Sequence, residues 1–142
     1  IGRCIDSLQG VADEIVVVDS NSTDATQQIC ISKGARFLLH AFEGYIEQKN
    51  FALEQATFNH ILSLDADEAL SDELRQSILR VKSDWTADVY SMNRLTNYCG
   101  TWVRHGGWYP DRSILHFQLA PKSSRRPGPR PQQPSPQPKP RQ

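Results

Sequence analysis

Ile15-Val16-Val17-Val18-Asp19-Ser20-Asn21-Ser22-Thr23-Asp24, residues 15–24, is the stretch that decides the fold. Its first four residues form a β-branched run with no polar alternation, which suits a strand covered on both faces in a parallel sheet. The run ends abruptly at Asp19. The polar residues that follow make a loop and supply N-cap candidates for a helix over about residues 24–33. Gly34 is placed to end that helix. A strand that stops on an acid and is followed by a capped helix is the start of a βα unit.

The same alternation extends in both directions. Upstream, Ile1, Cys4, Ile5 and Leu8 follow the i, i+3, i+4, i+7 stripe of a helix. Downstream, residues 35–39 read as a second strand, residues 46–57 as a helix, and residues 61–64 as a third buried strand ending at Asp65. Ser71-Asp72-Glu73 opens another helix with a hydroxyl cap and acids in its first turn. Leu74, Ile78 and Val81 form the stripe of that helix. Residues 89–95 read as a strand, residues 100–112 as a Gly- and aromatic-rich loop, and residues 114–117 as the start of one more strand. Strands alternating with helices predict an α/β architecture, a mostly parallel sheet flanked by helices.

Composition sets the limits. The chain has 142 residues, enough for one domain with its own core. Cys4, Cys30 and Cys99 are an odd set without metal-ligand spacing, which speaks against a disulfide framework and for a reducing compartment. No apolar run reaches the about 20 residues that a membrane helix needs, and no signal peptide is visible. The chain begins at Ile1 without an initiator Met, so a segment is expected upstream. The net charge of zero hides an asymmetry. Six of the sixteen basic residues lie in 121–142, so ten face sixteen acids elsewhere, a net of −6. An acidic body is a poor nucleic-acid surface. Residues 121–142 hold eight of the nine prolines and no acid or aromatic. They read as a disordered Pro/Arg-rich tail, because they lack the apolar area that offsets ordering entropy. The predicted organisation is therefore one folded unit over 1–120 and a tail over 121–142.

Ligands of open α/β sheets sit beyond the carboxyl ends of the strands. Two strands end in acids there, at Asp19 and at Asp65-Ala66-Asp67-Glu68. Asp65 and Asp67 offer hard oxygens of the kind Mg²⁺ or Mn²⁺ prefers while it shares phosphate oxygens. The plainer reading is a solvated acidic turn; the apolar run directly before it favours the first. Asp19 has a plain reading too, as a loop acid bonding nearby amides, and Asp24 reads as a helix cap. Lys49 offers a cation to a phosphate, and with Asn50 it falls on the helix face of Leu53, a polar pair on a face expected to be buried. In residues 105–112, Trp108, Tyr109, Asp111 and Arg112 combine flat aromatics with an acid and a base, as sugar sites do. An ordinary loop with Trp108 and Tyr109 packed into the core is the plain alternative.

Taken in order, these pieces resemble a family 2 glycosyltransferase. Val16-Val17-Val18-Asp19-Ser20-Asn21-Ser22-Thr23-Asp24 resembles that family's VVDDGSTD-like segment. Gln48-Lys49-Asn50-Phe51-Ala52-Leu53 resembles the helix that follows it, and Leu62-Ser63-Leu64-Asp65-Ala66-Asp67-Glu68 its DxD segment. Gly107-Trp108-Tyr109-Pro110-Asp111-Arg112 is similar to a signature in a bacterial branch that includes lipopolysaccharide core β-glucosyltransferases. The resemblance covers about residues 1–117. It implies a GT-A (Rossmann-like) fold, an inverting mechanism, a UDP-sugar donor, glucose among the candidates, and Mg²⁺ or Mn²⁺. Asp19 and Ser20 would lie near the nucleoside and Lys49 near the diphosphate. Asp65 and Asp67 would handle ribose, metal and diphosphate. The acceptor would be a glycan or lipid-linked saccharide, with no nucleic acid. The location would be cytoplasmic, at the inner membrane face where peripheral contact is allowed.

Three departures qualify it. Ser20 stands where the family often has a second Asp. The family's opening apolar strand would lie before Ile1. The acceptor-side region that carries the general base would follow Phe117, where the Pro-rich tail begins instead, through a frameshift or a fragment end. The chain therefore reads as a fragment of reduced or absent activity, and Asp111 is the nearby carboxylate left to nominate as base. Two other readings stand beside this one: a nucleotidyltransferase, and a non-catalytic nucleotide-binding remnant or interaction module. The lack of GxxxxGK[ST] opposes a P-loop ATPase, and the VDSNSTD segment does not fit a haloacid-dehalogenase phosphatase.

Overall fold

A computed structural model describes residues 1–87, 89–114 and 117–118 of the chain. The elements in order are α1 (Gly2–Leu8), β1 (Val16–Asp19), α2 (Thr26–Ser32), β2 (Arg36–Leu39), α3 (Tyr45–Gln55), β3 (His60–Ile61), α4 (Asp72–Ser83), β4 (Ser91–Arg94), β5 (Asn97–Tyr98), β6 (Thr101–Trp102), β7 (Asp111–Ile114) and β8 (Phe117–Gln118). The α/β alternation over residues 1–83 is as expected. The predicted tail lies outside the described residues.

The first βαβ unit forms in the expected order, but Val16, Val17 and Val18 are half-buried and line a cavity, not covered on both faces. β1 and β2 pair in parallel, Val16 against Arg36 through Asp19 against Leu39. The crossover helix α2 starts beside Asp24, whose Oδ1 accepts the Thr26 amide at 3.0 Å. Gly34 takes φ of +78° just past the end of α2, where a residue with a Cβ would be strained. α1 divides the core. Its Ile5 packs with Cys30 and Ala35 on one side. Cys4 and Leu8, one turn apart, pack with Val11, Leu70 and Ile78 on the other. Arg75 of α4 fastens the two helices by donating to the carbonyls of Ser7 at 2.6 Å and Gln9 at 2.9 Å, at the carboxyl end of α1. The Ser71 hydroxyl caps α4 by accepting the Leu74 amide at 3.2 Å.

The mostly parallel sheet is only partly present. β1–β2 is the one parallel pair among the described residues. β3 is two residues long and pairs antiparallel with β8, and β4 pairs antiparallel with β7. Residues 62–65, expected to complete a third buried strand, are half-buried or exposed and join no ladder. Val16, Val17 and Val18 and residues 61–64 all line a cavity of about 690 Å³. An apolar run alone does not make a strand; it also needs a neighbour whose backbone completes the hydrogen bonds.

α3 also departs from expectation. None of its residues is buried, and Ile46 is 72% exposed. The face with Gln48, Lys49, Ala52 and Leu53 borders the same cavity, so it looks onto open space instead of a packed core. The loop expected at 100–112 contains more structure than its composition suggested. Cys99 and Gly100, both at positive φ, turn the short β5–β6 hairpin. The chain then passes through a 3-10 turn at Gly106–Trp108 into β7.

Candidate functional site

The loop after β1 is fixed from within. Asp19 is buried, and both its carboxylate oxygens are used by Ser22: Oδ2 accepts the amide at 2.7 Å and Oδ1 the hydroxyl at 2.5 Å. Asn21 takes φ of +64° to close that turn, a conformation asparagine tolerates better than most residues. The Asp19 side chain thus shapes the loop, whose residues Ser20 to Asp24 are exposed.

Ser20 is held by a relay that the sequence did not announce. The Gln48 amide nitrogen donates to Ser20 Oγ at 3.0 Å, and Gln48 Oε1 lies 2.9 Å from His40 Nδ1. With Oε1 as acceptor, His40 Nδ1 is the donor. The ring of His40 stacks on Phe51 with centroids 3.9 Å apart, and its backbone amide donates to the Asp19 carbonyl at 2.9 Å. Every bond therefore points the same way, from His40 through Gln48 to Ser20. The Ser20 oxygen is already accepting, so its own proton is left to donate outward.

Four residues beyond β3, the chain makes a tight turn at Asp65. The Glu68 amide donates to the Asp65 carbonyl at 3.0 Å, and the Asp65 amide donates to Glu68 Oε2 at 2.9 Å. Lys49 reaches over from α3 and pairs with Asp65 Oδ1 at 3.1 Å. Both side chains are about half exposed, so the pair is worth about 0–1 kcal/mol. Arg3 of α1 donates to the Asp67 carbonyl at 2.6 Å. Asp67 keeps its carboxylate exposed, with no ion-pair partner among the described residues. Ser20, Gln48, Lys49 and Asp65, from three separate segments, line one cavity, whereas Asp19, Asp67 and Asp111 are not among its lining residues. No group of three His, Cys, Asp or Glu side chains placed to hold a metal is present among the described residues.

Asp111 opens β7 opposite Arg94. Arg94 Nε and Nη2 lie 2.8 and 2.7 Å from Asp111 Oδ2, and Nη1 lies 3.1 Å from Glu68 Oε1. These two carboxylates, Asp111 first and Glu68 second, hold the Arg94 guanidinium above its ordinary pKa. Arg94 and Glu68 escaped the sequence reading. A lone arginine at a strand end carries no pattern, and Glu68 read only as part of an acidic turn. The β4–β7 register brings Arg94 to Asp111, 17 positions away, and Arg94 then reaches Glu68 from that strand. Trp108, considered a core candidate, is 53% exposed and sits edge-on to Tyr98 with centroids 5.8 Å apart.

A family model described as glycosyl transferase family 2 matches residues 1–132. The chain belongs to that family. The match runs past residue 120 into the proline-rich segment. An uncharacterized glycosyltransferase of Rickettsia bellii is 42% identical over 90 residues, covering 63% of this chain and 31% of the relative. Another, of Rickettsia typhi, is 38% identical over 90 residues with the same shares. The lipopolysaccharide core biosynthesis glycosyltransferase LpsC of Rhizobium meliloti is 46% identical over 81 residues, 54% of this chain and 30% of LpsC. The chain spans about a third of the length of these curated relatives. No solved structure matches it. For this family 2 chain, the observed parallel β1–β2 pair with α2 and α3 is the part of the family's α/β fold that positions Ser20 and Lys49. No helix among the described residues is long and apolar enough to cross a membrane.

Proposed function

We propose that this chain forms the nucleotide-sugar side of an inverting glycosyltransferase, which moves a sugar, glucose in the first instance, from a UDP-sugar to a glycan or lipopolysaccharide-core acceptor. The observation that carries the reading is the convergence of Ser20, Lys49 and Asp65 at one cavity mouth. Ser20 donates to a carbonyl or hydroxyl oxygen of the nucleoside. Lys49 leaves its weak pair with Asp65 and takes a diphosphate oxygen. Asp19 acts indirectly by setting the loop.

Of the carboxylates of Asp65, Asp67, Glu68 and Asp111, that of Asp67 has no ion-pair partner among the described residues, and that of Asp65 has a half-exposed pair with Lys49. Asp65 and Asp67 are the residues that would hold Mg²⁺ or Mn²⁺, because such an ion takes one or two carboxylates and fills its remaining positions with phosphate oxygens and water. The ion would stabilise the charge that develops on the departing diphosphate. On the acceptor side, Asp111 takes the proton of the attacking hydroxyl. Among the described residues only Arg94 bonds its carboxylate, and Oδ1 stays open to the acceptor. The reaction takes place at the cytoplasmic face of the membrane that carries the acceptor, where soluble UDP-sugar is available.

The test is transfer from UDP-glucose to a lipopolysaccharide-core acceptor by the protein carrying this chain, with the anomeric configuration of the product read by NMR. A β-linked product, lost in Asp65→Ala, is expected. An α-linked product would overturn the inverting reading.

A further inference from the structure

Arg94 has more donors than one partner can use, and it spends them on two elements. Its guanidinium is a planar fork with five N–H groups, which a lysine cannot imitate. Nε and Nη2 close on one oxygen of Asp111 while Nη1 reaches Glu68. Glu68 uses its other oxygen to accept the Asp65 amide. A continuous path thus runs from the Asp111 carboxylate through the guanidinium and the Glu68 carboxylate to the backbone of Asp65. Among the described residues, the hydrogen bonds and ion pairs that join the 65–68 turn to the β4–β7 ladder go through Arg94. Each pair is partly exposed and weak by itself. Three bonds on one rigid group, however, fix the relative position of both carboxylates.

We propose that Arg94 is a positioning residue that fastens the donor-side turn at Asp65–Glu68 to the acceptor-side carboxylate of Asp111, so that a change at either one is felt at the other. This inference rests on the donor and acceptor roles proposed above, but the fastening itself is a property of the apo chain. Arg94 touches neither substrate. It orients Asp111 Oδ1 outward by engaging Oδ2, and it holds Glu68 where the Asp65 amide can bond it. Loss of the bridge lets the Asp65 turn and Asp111 move independently.

Amide hydrogen exchange at Asp65, followed by NMR in the full chain, tests this without any ligand. Arg94→Gln removes both ion pairs, and exchange at the Asp65 amide rises about fivefold, the factor equivalent to about 1 kcal/mol of hydrogen bond. Asp111→Asn, which lies on another strand, also speeds Asp65 exchange, but adds nothing once Arg94 is Gln. Arg94→Lys keeps the charge without the fork, and it too abolishes the effect of Asp111→Asn. Amides of the β1–β2 ladder stay as in the parent chain, which reports that the variants fold. If Arg94→Gln does not fold, the Asp111→Asn and Arg94→Lys variants decide alone. An Asp65 amide indifferent to Asp111→Asn, or equally sensitive to it with and without Arg94, overturns the proposal. Calorimetric titration of the parent chain with UDP and Mn²⁺ reads the donor reading separately. Absence of UDP binding with the exchange coupling intact sinks the donor reading alone. UDP binding without coupling sinks the bridge alone.

Discussion

Gln48 is the joint of the Ser20 relay, and two substitutions there separate its structural part from its part in ligand binding. Gln48→Leu removes both bonds, the one from His40 and the one to Ser20. A neutral hydrogen bond contributes about 1 kcal/mol net, less where water competes, and the Ser20 end is exposed. The expected loss is therefore about 1–2 kcal/mol, or about 3–8 °C in melting temperature for a domain of this size. Gln48→Glu behaves differently. A carboxylate still accepts from His40, so stability stays close to that of the parent. It has nothing to donate to Ser20, however, so the serine hydroxyl turns and donates to it. Ser20 then has no proton for the nucleoside. UDP affinity should fall about fivefold in Gln48→Glu, the cost of about 1 kcal/mol, while the melting temperature hardly moves. Calorimetric titration and thermal melting of the two variants read this directly. Equal UDP affinity in Gln48→Glu and the parent would refute the argument about the direction of the relay.

Other expectations follow from the core and the helix ends. Ile5→Ala empties a fully buried site between Cys30 and Ala35, and denaturant unfolding should show a loss of about 2–5 kcal/mol. Burial raises the thiol pKa of Cys4 and of Cys30, whereas Cys99 is exposed in its turn; a thiol reagent at pH 8 should therefore modify one cysteine quickly and two only on unfolding. Ser71→Ala removes the cap of α4 and should cost about 1 kcal/mol in the same unfolding assay. The pKa of Glu73 is held below its ordinary value by backbone and Ser71 hydrogen bonds. Its contribution is thus fully present above the ordinary glutamate value and lost as pH falls through the lowered one. The stability difference between Ser71→Ala and the parent should therefore narrow in acid.

What was legible in the sequence is what short-range physics decides. The helix of Ile1, Cys4, Ile5 and Leu8, the strand that ends on Asp19 and the cap at Ser71 all follow from spacing and side-chain chemistry within a few residues. Asp65 and Lys49 were legible as candidates because each stands beside an apolar pattern, and the fold pairs them at 3.1 Å. Residues 61–64 were misread as a full strand because apolarity is local and pairing is not. The face of Lys49 and Asn50 was expected to be buried for the same reason. Hidden altogether were the long-range partners: Gln48 and His40 behind Ser20, and Arg94 between Glu68 and Asp111. No spacing rule links those residues, since the β4–β7 register and the packing of α3 beside β1 bring them together. Asp19 illustrates the reverse case. Its position suggested a ligand, and its carboxylate also accepts the amide and hydroxyl of Ser22, the local bonds that the plain reading of a loop acid expects.

The central claim, that Ser20, Lys49, Asp65 and Asp67 form a nucleotide-diphosphate site, is tested most directly by calorimetric titration of UDP into the chain with and without Mn²⁺, alongside Asp65→Ala and Asp67→Ala. The account predicts binding that depends on Mn²⁺ and is lost in both variants. Metal-independent binding of the same strength in both variants, or no binding by the folded parent chain, would contradict it.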